Sequence, residues 1–164
     1  MATGVALPFE AFAKRQAITD AVINIVLAGG GNYLLSRHLS EVPLTRAFGD
    51  SAPSLFGALI ATSVLMSIFL TLIVFTITVA QRKSGKIMPQ LSAETHTRSA
   101  AFRLAFLHLL ITLPPVIGLN LLAPTARDGV TLPPLVFALI TAAIAAVAAY
   151  YMSLNTTRAT LKLG

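Results

Sequence analysis

Nearly all the formal charge of this chain sits between long uncharged stretches, and that spacing constrains the fold more than any other property. No Asp, Glu, Lys or Arg occurs from Ser51 to Gln81 or from Gly129 to Thr157, and the intervals Leu104 to Ala126 and Ala21 to Ser36 carry none either. A helix needs about 20 mainly apolar residues to cross a bilayer. The first three intervals each suffice, and the fourth reaches that length by including the turn from Gln16 to Asp20. Backbone groups in lipid have no water to bond, so crossing segments are helices or a closed barrel, and the alternating ten-residue segments of a barrel are absent. The expected fold is an all-α integral membrane protein, a four-transmembrane-helix bundle forming a single domain over residues 1–164. Its spans fall near 16–35, 54–80, 100–122 and 133–154. With 55% hydrophobic content in 164 residues, spans and links use almost the whole chain and leave no room for a soluble domain.

The net charge of +6 follows topology rather than a polyanionic partner. Lys14 and Arg15 precede the first span; Arg82, Lys83, Lys86, Arg98 and Arg103 lie between the second and third; Arg158 and Lys162 follow the fourth. These are nine of the twelve basic residues, while Arg37, Arg46 and Arg127 on the other side are matched by Glu41, Asp50 and Asp128. By the positive-inside rule the nine mark the cytoplasm, so the expected protein is multi-pass with both termini cytoplasmic, as suits a bacterial inner membrane. A nucleic-acid surface needs aromatic or helical context that the Gln81 to Ala100 loop lacks, so no nucleic acid is expected. There is no cysteine, which removes disulfides, thiol redox chemistry and thiolate metal sites. Lys14 and Arg15 resemble the start of a signal peptide, but Asp20 and Asn24 interrupt the apolar stretch and no A-x-A site follows; the first helix is expected to be retained.

Around Pro8 and Glu10, the residues Leu7, Phe9 and Phe12 form a short amphipathic stretch at headgroup level or a frayed terminus. Pro53 suits the first turn of span two. Ser92 before Glu94 suggests a helix start in the cytoplasmic loop, and short links make successive spans antiparallel neighbours. The chain also repeats weakly. A shift of 88 places Ala13, Arg15, Ala17, Ile23, Gly30, Asn32 and Leu34 on Ala101, Arg103, Ala105, Ile111, Gly118, Asn120 and Leu122. A shift of 80 places Pro53, Leu55, Ala58, Leu59 and Ile60 on Pro133, Leu135, Ala138, Leu139 and Ile140. Two hairpins that both start in the cytoplasm are parallel repeats about an axis along the membrane normal.

Asp20 is the residue that most needs explaining. It lies about 7 Å deeper than Arg15 at 1.5 Å per residue, and a central carboxylate costs about 2.5–3.5 kcal/mol on the insertion scale. It needs a partner or a proton. The repeat sets it opposite His108, five residues beyond Arg103, so an Asp20–His108 hydrogen-bonded pair or proton relay is expected; the alternative is a purely local role, with Asp20 snorkelling toward Arg15 and His108 bonding a nearby hydroxyl. Asn24, Ala28 and Gly31 continue the Asp20 face at helical spacing. Span two carries a hydroxyl row, Ser63, Ser67, Thr71 and Thr78, and the two stripes are expected to meet and pack. Gly29 to Gly31 with Asn32, and Pro114, Pro115 and Gly118 with Asn120, weaken spans one and three at corresponding places, where freed carbonyls and amides suit a ligand or proton site. The candidate site is therefore Asp20, Asn24, Asn32, His108 and Asn120.

Span four is alanine-rich, with Ala138, Ala142, Ala145, Ala146 and Ala149 spaced for close helix contact, and Tyr150 and Tyr151 read as an interfacial belt. Only one intramembrane histidine and no intramembrane lysine are present, and phosphate loops, HExxH pairs and nucleophile elbows are absent. Neither an enzyme, a cofactor nor a metal site is expected. Two functions lead, with lipid or quinone binding behind them: a small transporter-like unit, which acts as a homo-oligomer because four helices enclose little volume, or a non-catalytic accessory or scaffold subunit that docks on a larger membrane complex through span four. Four short spans with one acid in the first resemble the small multidrug transporters in outline. The chain departs from them in carrying an aspartate where they have a glutamate, in its greater length and in having no tryptophan.

Overall fold

The computed structural model describes residues 7–45, 52–122 and 130–163. Four helices are long and apolar enough to cross a membrane: Phe9–Ser36, Leu55–Lys83, Arg98–Leu122 and Pro134–Lys162, called spans one to four. The protein is an all-α four-helix bundle and a multi-pass membrane protein by length and composition. Large apolar side chains such as Leu27, Phe69, Phe106 and Leu139 are exposed on its outer surface, where lipid tails solvate them at no cost.

The helices begin and end for local reasons. Ser54 caps span two by accepting from the Gly57 amide at 3.2 Å, and satisfies one of the free amides of the first turn; Pro53 precedes that cap instead of occupying the first turn. Span four opens on Pro134, whose missing amide is not needed there. Span two stops at Gly85, whose φ of 73° is the left-handed conformation that ends helices. Span one starts seven residues before Gln16: the amphipathic stretch is its first two turns, with Phe9 packed against Ile87 and Leu154. Ser92 does not start a helix. Its hydroxyl accepts from the Glu94 amide at 3.4 Å in a turn, and span three begins at Arg98.

Neighbours in sequence are not always neighbours in space. Span four lies between spans one and two, and span three packs on span two, so the order across the bundle is one, four, two, three. The short outer link therefore does not make spans three and four principal neighbours. The Ala138, Ala142, Ala145 and Ala149 face of span four is buried within this chain. A Cβ on Gly29 of span one would stand 2.8 Å from the Ala142 Cβ, and Ala145 and Ala149 pack with Met66 of span two.

Each end of the bundle is tied together. At one end the two-residue strand β1 (Leu7–Pro8) pairs in parallel with β3 (Ile87–Met88), and Arg158 forms an ion pair with Glu10 at 2.7 Å. Arg82 is buried there and donates to the carbonyls of Pro89 and Thr160. At the other end β2 (Val42–Pro43) pairs antiparallel with β4 (Thr131–Leu132), and the Thr131 hydroxyl donates to Glu41 at 2.5 Å. All nine basic residues assigned to one side of the membrane fall at the first end, and Arg37 at the second; Arg46, Asp50, Arg127 and Asp128 lie outside the described residues.

Candidate functional site

Asp20 is 6% exposed, on the face of span one that packs against span four. Its carboxylate accepts from Ser153 Oγ of span four at 2.5 Å and from Gln16 Nε2 at 3.0 and 3.1 Å. Asn24, one turn on, donates from Nδ2 to the Asp20 carbonyl at 2.8 Å. Four-residue spacing puts all three span-one residues on one stripe. Among the described residues no ion pair forms at Asp20, so its hydrogen bonds are to neutral donors.

His108 belongs to a separate cluster. Its Nδ1 lies 2.8 Å from Thr71 Oγ1 of span two. Thr112 donates to the His108 carbonyl at 2.9 Å, and its hydroxyl also meets Ser67 Oγ at 2.9 Å. The structure thus does not bring Asp20 and His108 together: one bonds across to span four, the other across to span two. Nor do the two polar stripes meet. Ser67 and Thr71 of the hydroxyl row face span three, while Thr78 bonds the Val74 carbonyl of its own helix at 2.8 Å.

The span-one stripe opens instead on a groove of about 660 Å³ between spans one and two. Asp20, Asn24, Ala28, Gly31 and Asn32 line one wall, and Ala58, Thr62, Met66, Phe69 and Ile73 belong to the other. The two spans are held apart by span four, which contacts both. The groove opens toward the lipid-facing surface, and among the described residues Asp20 is the only ionisable one that lines it. Asn32 sits toward its outer end, with its carbonyl accepting from Ser36 Oγ at 2.7 Å. Asn120 is half-buried near the outer end of span three and is not part of the groove.

Backbone irregularity concentrates at the same groove. Span one is π-helical over Ile25–Gly30, where the glycine run weakens the α ladder. Span two is π-helical over Met66–Leu70, a segment without glycine or proline. Both walls thus carry the kind of helix interruption that recurs at functional sites. Span three, in contrast, runs as a continuous α-helix through Pro114 and Pro115. The expected correspondence between spans one and three is replaced by one between spans one and two.

Sequence reasoning missed Ser153 and Gln16. Ser153 was detectable by depth: it stands five residues before Arg158, as Asp20 stands five after Arg15, so both lie equally far from the same charged end. Comparison with protein-family models, curated proteins and solved structures finds no match for this chain.

Proposed function

We propose that this protein is a small transporter-like membrane unit that takes a lipid-soluble ligand into the groove between spans one and two, with Asp20 as its proton or ligand acceptor. The observation that carries the reading is the groove itself: an apolar, lipid-facing channel about 660 Å³ in volume, with one carboxylate on its wall and both walls interrupted as helices. A buried acid with no cationic partner among the described residues can hold a proton or a donating ligand head, but holds both less well than either. That competition is what couples ligand movement to a proton. Four helices enclose no complete aqueous path, so the unit acts as a homo-oligomer, with both termini on the cytoplasmic side by the positive-inside rule. His108 serves in this scheme as a brace between spans two and three, outside the coupling step.

The test is charge movement. Proteoliposomes on a solid-supported membrane, pulsed with a panel of lipid-soluble cations and neutral amphiphiles, should give pH-dependent transient currents. Asp20→Asn, which keeps a hydrogen-bond acceptor and the helical circular dichroism spectrum, should abolish them. Unchanged currents in that variant refute the assignment.

An accessory-subunit reading draws on a different surface. The buried alanine face of span four is already used inside the chain, but Leu135, Leu139, Val147 and Tyr151 form an exposed stripe along its outer side. Purification in mild detergent separates the two: a stoichiometric second polypeptide favours docking there, and a clean homo-oligomer favours the transporter unit.

A further inference from the structure

Asp20 stands between two different surroundings. Toward the outer face its stripe opens on the groove. Toward the cytoplasm it is closed in by span four, whose last turns carry Ser153, Thr156, Thr157 and Thr160, all fully buried. Four hydroxyls in so short a stretch are costly in a seam otherwise built from alanine, since each needs a partner once out of water. Ser153 and Thr160 have one, on the Asp20 carboxylate and on the Thr157 carbonyl. The hydroxyls of Thr156 and Thr157 have none among the described residues.

The two orphans belong to different faces. Met152, Thr156 and Thr160 share a stripe at four-residue spacing. Met152 packs in one cluster with Met66 and Leu70 of span two, and the Thr160 carbonyl accepts from Arg82, so this stripe faces span two. Ser153 and Thr157 form the adjacent stripe, which faces span one: Ser153 bonds Asp20, and Arg158, next to Thr157, pairs with Glu10 in a half-exposed ion pair at the cytoplasmic end. Side chains one turn apart on a helix have Cβ atoms about 5–6 Å from each other, a distance that two O–H···O bonds of about 2.7–2.8 Å bridge. One water therefore links Ser153 to Thr157 and satisfies the orphan, as buried waters commonly do.

Building on the transporter reading, we propose that Asp20 exchanges its proton with cytoplasmic water along the seam between spans one and four, through Thr157 and Ser153, while the groove serves the ligand. In the inward step the water at Thr157 gives a proton to Ser153 Oγ as Ser153 passes its own to the Asp20 carboxylate. One O–H bond breaks and one forms at each relay oxygen, and the net change is one proton moved from bulk water onto the carboxyl group. The reverse sequence discharges it. Ser153 touches the titrating atom, and Thr157 is a positioning residue that holds the water. Proton and ligand thus reach the carboxylate from different sides. The charged groups around the route are Lys14 and Arg15, exposed on span one, the Glu10–Arg158 pair at its mouth, and Arg82 of span two, which is turned to the Pro89 and Thr160 carbonyls; His108 of span three bonds Thr71 instead.

Infrared difference spectroscopy reads the step directly. In lipid films the Asp20 carboxyl stretch is identified by its loss in Asp20→Asn, and protons released by flash from a caged acid start the reaction. Thr157→Val matches the threonine in shape and should slow protonation about tenfold, the worth of one hydrogen bond holding the water, with the titration midpoint unmoved. Thr157→Ser, which keeps the hydroxyl, should restore the rate. Thr156→Val, which deletes the other orphan, should leave the rate as it is in the unmodified protein. An unslowed Thr157→Val overturns the proposal, as does equal slowing by Thr156→Val, or slowing by Ala61→Phe in the groove wall instead; these results leave the transporter reading standing while Asp20→Asn still abolishes the currents. Slowing confined to Thr157→Val, with no currents from the unmodified protein, removes the transporter reading and keeps the route. A carboxyl band that does not titrate sinks both.

Discussion

Gly29 sets the separation of spans one and four, and its replacement by alanine is the sharpest test of the packing. The added Cβ would lie 2.8 Å from the Ala142 Cβ and 3.5 Å from the Ala138 carbonyl oxygen, against an optimal carbon–carbon separation of about 3.5–4.0 Å. Neither neighbour is a flexible side-chain end, so the helices must part by roughly 1 Å, a gap that forfeits a quarter to a half of each contact across the seam. Overpacking of this kind costs about 1–3 kcal/mol, while replacing a helical glycine returns up to about 1 kcal/mol. Gly30→Ala is the internal control, since nothing lies within 4 Å of its Cβ position. The difference between the two variants is therefore expected at about 2 kcal/mol, with Gly29→Ala the less stable. Reversible unfolding in mixed micelles, titrated with SDS and followed by circular dichroism, measures it. Ala142→Gly in the Gly29→Ala background should recover most of the loss, since the two sites touch and couple. If Gly29→Ala is as stable as Gly30→Ala, the close seam between spans one and four is wrong.

Three further outcomes follow from particular contacts. Ser153→Ala removes the Asp20 partner across the bundle and should destabilise by about 1–2 kcal/mol in the same titration, with Ser153→Thr largely restoring stability; no loss on Ser153→Ala would show that the bond is not made. Arg82→Gln breaks the tie between the Pro89 carbonyl and the end of span four and should speed tryptic cleavage at Lys83 and Lys86 about tenfold through easier local opening; unchanged cleavage rates would contradict the clasp. Because the chain has no cysteine, Lys14→Cys, Lys86→Cys and Glu41→Cys can be labelled singly from either face of sealed vesicles. The first two should react from one side and the third from the other, and any other pattern breaks the topology.

The number and placement of the spans were legible because exclusion of charge from hydrocarbon is a strong and directional signal. Which faces meet was not. In lipid a leucine gains nothing by turning inward, so Leu27 and Phe69 lie outside while Ala13, Ala17 and Ala145 lie inside, and apolar periodicity carries no record of the neighbour. Ser67 and Thr71 could be read as an interface row but not as one facing span three. For the site, Asp20 and Asn24 could be read from their cost in lipid, and the glycine run from its weak helix propensity. The π segment at Met66–Leu70 had no breaker residue to announce it, and pairing His108 with Asp20 failed because equal depth does not specify which helices adjoin.

The bond between Asp20 and Ser153 joins residues 133 positions apart. At about 5–20 residues per second, a ribosome needs on the order of 10 s to synthesise the stretch between them. Through that interval the first helix must already reside in the bilayer with its acid unmatched from across the bundle, and the Gln16 amide, one turn earlier, is the donor at hand. Assembly of the bundle thus waits on span four: it must wedge between spans one and two before the acid is sheltered, so a nascent chain stalled short of it leaves Asp20 without its partner across the bundle.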